Sequence, residues 1–220
     1  MSEGALVIDE DFSQGMPNWW VEGGEQVWVA DGRLYMRSEG PDADHGSVCT
    51  AWCKTPHPAH FVLEAEAHVL KESKGPSNNI NLFFCYADPS GVPLFETRQT
   101  RRNGDYGLYH ALNGHIITFV NGREETGLNA DGTPKARVRI RRCPGFQLLA
   151  ETFAYHSLQD HTYRLRVTKR RGHISFAVDG KTLQEASDAV PLGGGLLGLR
   201  TFKTFLWWDN VKLTALPEEL

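Results

Sequence analysis

The chain has little of what several functional classes require. No stretch approaches the roughly 18 to 20 consecutive apolar residues that a membrane-spanning helix needs, so no membrane partner is expected. Cysteine is scarce, four in 220 residues. That excludes a disulfide framework and leaves Cys49, Cys53, Cys85 and Cys143 as expected buried thiols. The formal net charge is only −4, too little charge of either sign for the molecule to bind nucleic acid by overall electrostatics. The phosphate-cradling G-x-x-x-x-G-K and the nucleophile elbow G-x-S-x-G are both missing. The opening M-S-E-G-A-L-V-I-D-E lacks the basic start and apolar core of a secretory leader, and a cytoplasmic location is the expectation. Cys49-x3-Cys53-x3-His57-x2-His60 is too tightly spaced, and too stiffened by Pro56 and Pro58, for a zinc finger.

What the chain does have is alternation. Phe61, Leu63, Ala65, Ala67 and Val69 interleave with Val62, Glu64, Glu66 and His68, the period-two pattern of a half-buried strand with an acidic outer side. Similar runs cover Leu6 to Phe12, Asn79 to Tyr86, Thr162 to Thr168, His173 to Val178 and Phe205 to Leu213. Asp31-Gly32 and Asp179-Gly180 sit between such runs and predict tight hairpins, because that dipeptide tolerates positive φ. Asn113-Gly114 and Asn121-Gly122 predict two more. About a dozen strands with no linker point to one domain over residues 1–220, an all-β, two-sheet antiparallel sandwich of the jelly-roll kind.

The most distinctive stretch is Ala136 to Glu151, A-R-V-R-I-R-R-C-P-G-F-Q-L-L-A-E. Ala136, Val138 and Ile140 alternate with Arg137, Arg139 and Arg141, which places three guanidiniums on one side of a strand. A row of like charges costs stability unless carboxylates or an anionic ligand face it. Either acidic side chains such as Glu64 and Glu66 cover these arginines, or a ligand does.

The sequence D-x-D-F near the start, then D-G-R-L, F-V-L-E-A-E, Y-R-L-R-V-T-K-R-R-G-H-I-S-F-A-V-D-G and a closing W-W-D-N-V resembles the concanavalin A-like lectin and glucanase superfamily. Y-H-A-L-N-G-H and R-I-R-R-C-P-G-F-Q-L-L-A-E resemble, more narrowly, the bacterial YesU family, which occurs in gene clusters for rhamnogalacturonan breakdown. The resemblance implies a galectin-like jelly roll with a concave, saccharide-binding face. The acidic signature E-x-D-x-x-E of the superfamily's glucanases is absent, since no Glu is followed two residues later by Asp. Retaining hydrolysis on that pattern is therefore disfavoured.

From these readings come the candidate residues. Arg137, Arg139, Arg141, Asn81, Asn113 and an outward-facing Trp208, with Trp207 in the core, are expected to bind a uronate-containing oligosaccharide such as a pectin fragment. His110, Tyr109 and Glu151 are candidates for acid–base chemistry, by elimination or hydrolysis. A non-catalytic binding module stands as the alternative to an enzyme, and an oligomer-forming structural protein as a third. No cofactor is required. The superfamily often holds a structural ion, and Asp9, Asp11 and Asp209 are the oxygen donors for a possible calcium.

Overall fold

A computed structural model describes residues 4–217. Fifteen strands carry the architecture: β1 Leu6–Glu10, β2 Trp19–Gly23, β3 Gln26–Ala30, β4 Arg33–Arg37, β5 Val48–Cys53, β6 Phe61–Val69, β7 Asn79–Ala87, β8 Asn113–Val120, β9 Arg137–Cys143, β10 Gln147–Phe153, β11 His161–Arg170, β12 His173–Val178, β13 Lys181–Ser187, β14 Leu196–Phe202 and β15 Phe205–Ala215. They form two antiparallel sheets. The first runs β13-β12-β11-β6-β15-β4-β3, with β1 also on β15; the second runs β10-β9-β8-β7-β14-β5-β2. The result is the expected two-sheet antiparallel sandwich. Among the described residues no helix is long and apolar enough to cross a membrane.

The core lies between the sheets and follows from alternation. Leu63, Ala67 and Val69 of β6 join Leu82 and Phe84 of β7, Ile117 and Phe119 of β8 and Val138 and Ile140 of β9 in one apolar cluster. Truncating a wholly enclosed side chain such as Val138 or Phe119 to alanine costs about 2–5 kcal/mol, because the site collapses only partly. The Asp-Gly hairpins form as the dipeptides dictate, with φ of 51° and 66° at Asp31-Gly32 and 51° and 78° at Asp179-Gly180.

Other local signals are overridden by packing. Asn113-Gly114 begins β8 instead of turning, and the glycine is needed there because a Cβ would stand 2.4 Å from the Tyr86 ring. Asn121-Gly122 opens a long excursion to β9 in place of a tight hairpin. Cys85 leaves the face of Asn79, Asn81 and Phe83: at φ 58° in an irregularity of β7 it turns into the core and Tyr86 takes its side. The two adjacent tryptophans are reversed relative to expectation. Trp208 pairs with Leu34 and Ala67, both core residues, and is wholly buried. Trp207 lies on the outer side, stacked on His68 at 5.0 Å with Arg33 4.3 Å from its ring centroid.

The calcium donors do not converge. Asp9 stands 3.6 Å from Lys212, Asp209 stands 3.9 Å from Arg33, and Asp11 accepts from Ser13 N. Among the described residues no group of three or more His, Cys, Asp or Glu is placed to hold a metal. These carboxylates are bound to cations and backbone of their own chain, so they do not fit the expected ion.

Candidate functional site

Strand register lines up the outward side chains of the second sheet in rows that cross the strands. Arg200 of β14 faces Thr50 of β5 on one side and Asn81 of β7 on the other. Asn81 faces Thr118 of β8, Thr118 faces Arg139 of β9, and Arg139 faces Glu151 of β10. Thr50, Arg200, Asn81, Thr118, Arg139 and Glu151 thus make one polar row. The neighbouring row, Trp52, Gly198, Phe83, Ile116, Arg141 and Leu148, is apolar except for Arg141. On the other side Asn79, Val120, Arg137 and Phe153 continue from the pair Val48 and Phe202.

Residues 88–112 fold over one end of this face as a roof. Leu94, Tyr109 and Leu112 pack with Trp20, Trp52, Phe83 and Tyr86 in a second apolar cluster. Glu22 of β2 is the point of attachment. It is 1% exposed, and it accepts from Trp20 Nε1, Trp52 Nε1 and the Tyr109 hydroxyl at 3.2, 3.0 and 2.7 Å, with the Arg101 guanidinium at 3.2 Å. The roof therefore brings a cation to neutralise the one carboxylate buried beneath it.

Arg200 has no such counter-charge. It is 1% exposed, donates to Thr50 Oγ1 at 2.7 Å and to Gly104 O at 2.9 Å, and lies 4.9 Å from the Tyr106 ring centroid. No carboxylate among the described residues pairs with it; Glu22 is held by Arg101 and Glu151 by Arg137 at 2.7 Å. Arg139 reaches Glu151 only at 4.0 Å, and its Nε is buried without a hydrogen-bond partner. Burial, with Arg137 and Arg141 alongside, lowers the pKa of Arg139 from its ordinary value. Asn81 Oδ1 and Arg141 Nε are likewise buried and unpartnered. Unmade hydrogen bonds cost free energy, and these three lie on one face of the second sheet.

Two clefts meet on this row. One, of about 350 Å³, opens over Arg200, Asn79, Asn81, Thr118 and Arg139, between a wall of Ala43, Ser47 and Phe202 and the roof residues Asp105 and Tyr106. The other, of about 570 Å³, shares Arg139 and continues over Arg137, Asn121 and Phe153. Phe202 and Phe153, 42% and 40% exposed, stand at the two ends. A third hollow of about 490 Å³, on the far side of the roof, is walled by Trp20, Tyr86, Leu94 and Phe95 and offers mainly apolar surface.

Of the residues anticipated from sequence, Arg137, Arg139 and Asn81 line the clefts and Glu151 stands beside the first two. Arg141 lies 4.3 Å from the Phe146 ring centroid, with His110 stacked on the same ring at 3.9 Å. Burial, then Arg200 and Arg141, push the His110 pKa down. Tyr109 is completely buried with its hydroxyl committed to Glu22, so it cannot touch a ligand. Asn113, opposite Ala87, lines neither of the two clefts, and Trp208 is in the core. Tyr106, Thr118, Asn79 and Arg200 were not among the residues anticipated for the site, although Asn79 shares a strand face with Asn81 in the sequence pattern. Tyr106 is pushed up by burial, an effect that Arg200 and Arg141 oppose. The alternation of L-L-G-L-R-T-F did place Arg200 opposite two leucines, but nothing in it says that β14 lies between β7 and β5.

A protein family described as Domain of unknown function (DUF1961) matches residues 9–206. The chain belongs to that family. A relative of this DUF1961 chain is the "Uncharacterized protein YesU" of Bacillus subtilis (strain 168), 24% identical over 174 residues, which are 78% of this chain and 74% of the relative. A Bacillus subtilis crystal structure described as a protein of unknown function with a galectin-like fold superposes with a TM-score of 0.77 at 21% identity, covering 97% of both chains. The carbohydrate-binding module CBM66 from Bacillus subtilis gives a TM-score of 0.60 at 14% identity, over 91% of this chain and 98% of its own. The superpositions show the galectin-like fold, and the DUF1961 match shows the family.

Proposed function

We propose that this protein binds an oligosaccharide containing uronate residues along the polar row of the second sheet. The observation that carries the reading is the pair Arg200 and Arg139, two largely buried guanidiniums lining one cleft, the first without a carboxylate and the second with an unpartnered Nε. A guanidinium matches a carboxylate bidentately, and a uronate supplies that group on a ring otherwise covered with hydroxyls. Asn79, Asn81 and Thr118 offer both donors and acceptors for those hydroxyls. Phe202 and Phe153 present exposed rings on which the C–H faces of a pyranose can stack. The sandwich shared with a carbohydrate-binding module supports the same reading. A pectin-derived fragment, as in rhamnogalacturonan, is the favoured source.

The arrangement favours binding over cleavage. Hydrolysis needs two carboxyls across the scissile bond; among the described residues lining the cleft over Arg200, Asp105 supplies one, its side chain capping Gly107 N at 2.8 Å, while Glu125 lines the other cleft, 3.9 Å from Arg123. Elimination through Tyr109 is precluded by its burial. Calorimetry with galacturonate, rhamnogalacturonan and neutral-glucan oligosaccharides tests the reading, together with absorbance near 235 nm for unsaturated products. The expected result is heat with the acidic sugars alone, no absorbance change, and loss of the heat in Arg139→Ala. Equal binding of neutral glucans, or binding of none, overturns it.

A further inference from the structure

The polar row is open at one end and shut at the other. Toward β10 it runs out over Arg137 and Phe153 to the edge of the sheet, since β10 has β9 as its one neighbour in that sheet. Toward β5 and β2 it stops. Thr50, the next member of the row beyond Arg200, is wholly buried, as is Trp52 beside it, and Glu22 on β2 is sealed under Arg101. The roof is pinned over this end at several points. Asn103 Nδ2 donates to Asp44 Oδ1 at 2.8 Å, which joins the roof to the loop bearing the wall residues Ala43 and Ser47. Gly23 N donates to Arg102 O at 2.8 Å, and Gly104, held at φ 68°, turns its carbonyl onto Arg200. A Cβ on Gly104 would stand 2.8 Å from Glu22 O, so the roof sits directly on β2.

A chain lying on this row therefore has no path past Arg200. From β14 to β10 the open floor spans about 19 Å, four interstrand spacings, the length of a short oligosaccharide and not of a polymer passing through. We propose that the site reads the end of an acidic saccharide chain: the terminal uronate places its carboxylate on Arg200 and Arg139 against the closed wall, and the following residues leave toward Arg137 and Phe153. This rests on the carbohydrate reading above and adds which part of the chain is recognised. Arg200 is suited to the terminal seat. Thr50 and Gly104 fix its orientation through one terminal nitrogen, and its charge is left for the ligand.

The test is the stoichiometry of binding to trigalacturonate, hexagalacturonate and long-chain polygalacturonate, by calorimetry and by light scattering of the complex. End recognition gives one protein per saccharide chain for all three, because the two ends of such a chain differ chemically and one of them fits. Affinity per chain then changes less than tenfold between the hexamer and the polymer. Several proteins on each polymer chain would overturn end recognition while leaving acidic-saccharide binding intact. No binding to any of the three would overturn both. Arg200→Lys keeps the charge and loses the planar fork, and should weaken trigalacturonate at least tenfold. Should that variant unfold by circular dichroism, Asn81→Ala, at the same seat, carries the prediction of a similar loss. Unchanged affinity in a folded Asn81→Ala would place the terminal residue elsewhere and sink the proposal.

Discussion

The two sheets each turn a charged face outward, and the faces are built on opposite terms. On the first sheet every charge named here has a partner on the adjacent strand: Glu64 with Arg166 at 2.7 Å, Glu66 with Arg164 at 3.5 Å, Asp9 with Lys212 at 3.6 Å and Asp209 with Arg33 at 3.9 Å. On the second sheet Arg137 and Arg139 share Glu151, Arg141 rests on Phe146, and Arg200 has no carboxylate. Glu64 and Glu66, the acids named from sequence as cover for the arginine row, are thus spent on the other side of the molecule. Cross-strand pairing of opposite charges makes a solvated surface and little more. Cations left over on a partly roofed face are what the proposed acidic ligand would meet.

The sharpest way to break this contrast is at Glu22, the carboxylate on the second face that is fully paired. Glu22→Gln strips the buried Arg101 of its counter-charge and leaves one oxygen for three donors. Loss of one partner of a buried pair costs about 3–5 kcal/mol, and the urea midpoint should fall accordingly. An unchanged midpoint would mean that the roof is not held there.

Acid is the next lever, acting on the seam behind the second sheet. His57 takes Cys85 N–H on Nε2 and donates from Nδ1 to Pro58 O, which uses the neutral ring in both directions. Burial lowers its pKa to about 4. His115, stacked on Phe84, is also lowered to about 4, because burial outweighs Asp188 at 2.9 Å and the charges of Lys169 and, at 3.1 Å from that carboxylate, Arg142 add to the lowering. Both rings bind protons more weakly folded than unfolded. Stability should therefore be full above the ordinary histidine value of 6.5 and fall as pH drops toward 4. The limiting loss is about 1.4 kcal/mol per pH unit for each ring. Urea melts across that window, with His57→Gln and His115→Gln flattening the slope, check it.

A smaller effect sharpens the comparison directly. Arg139→Ala should weaken an acidic oligosaccharide by about 1.5–3 kcal/mol, the worth of a charged hydrogen bond, while leaving the urea midpoint nearly unchanged. The smallest is its counterpart on the first sheet. Arg166→Ala should leave saccharide affinity untouched, and a double-mutant cycle with Glu64 should return about 0.2–1 kcal/mol, since both side chains are half exposed. If Arg166→Ala weakens binding as much as Arg139→Ala, the two faces do not differ in the way described.

Much of the fold was legible because alternation is local. Arg137, Arg139 and Arg141 share a side because consecutive residues of one strand must oppose one another. The Asp-Gly hairpins close because two residues suffice to set their dihedrals. The misreadings share a cause. Asn113-Gly114 carries a turn signal that yields to the Tyr86 ring, and Trp207-Trp208 must split between faces without the pair itself saying which goes inward. Tyr109 and His110 stood out in sequence as acid–base candidates, yet they sit in a roof whose position depends on Glu22, 87 residues before Tyr109.

The sequence by itself determined the two-sheet class, the two Asp-Gly hairpins and the common side of the three arginines, features that local strand alternation and turn dihedrals carry. The tertiary structure alone decided what faces them. It brought Arg200 from the far end of the chain into their cleft through β7 and β8, gave Glu64 and Glu66 to other partners, and closed the row with Asp44 and Asn103. A strand pattern fixes which side chains agree with one another. Which charge stays unpaired depends on strand order, a property of contacts between residues far apart in the chain.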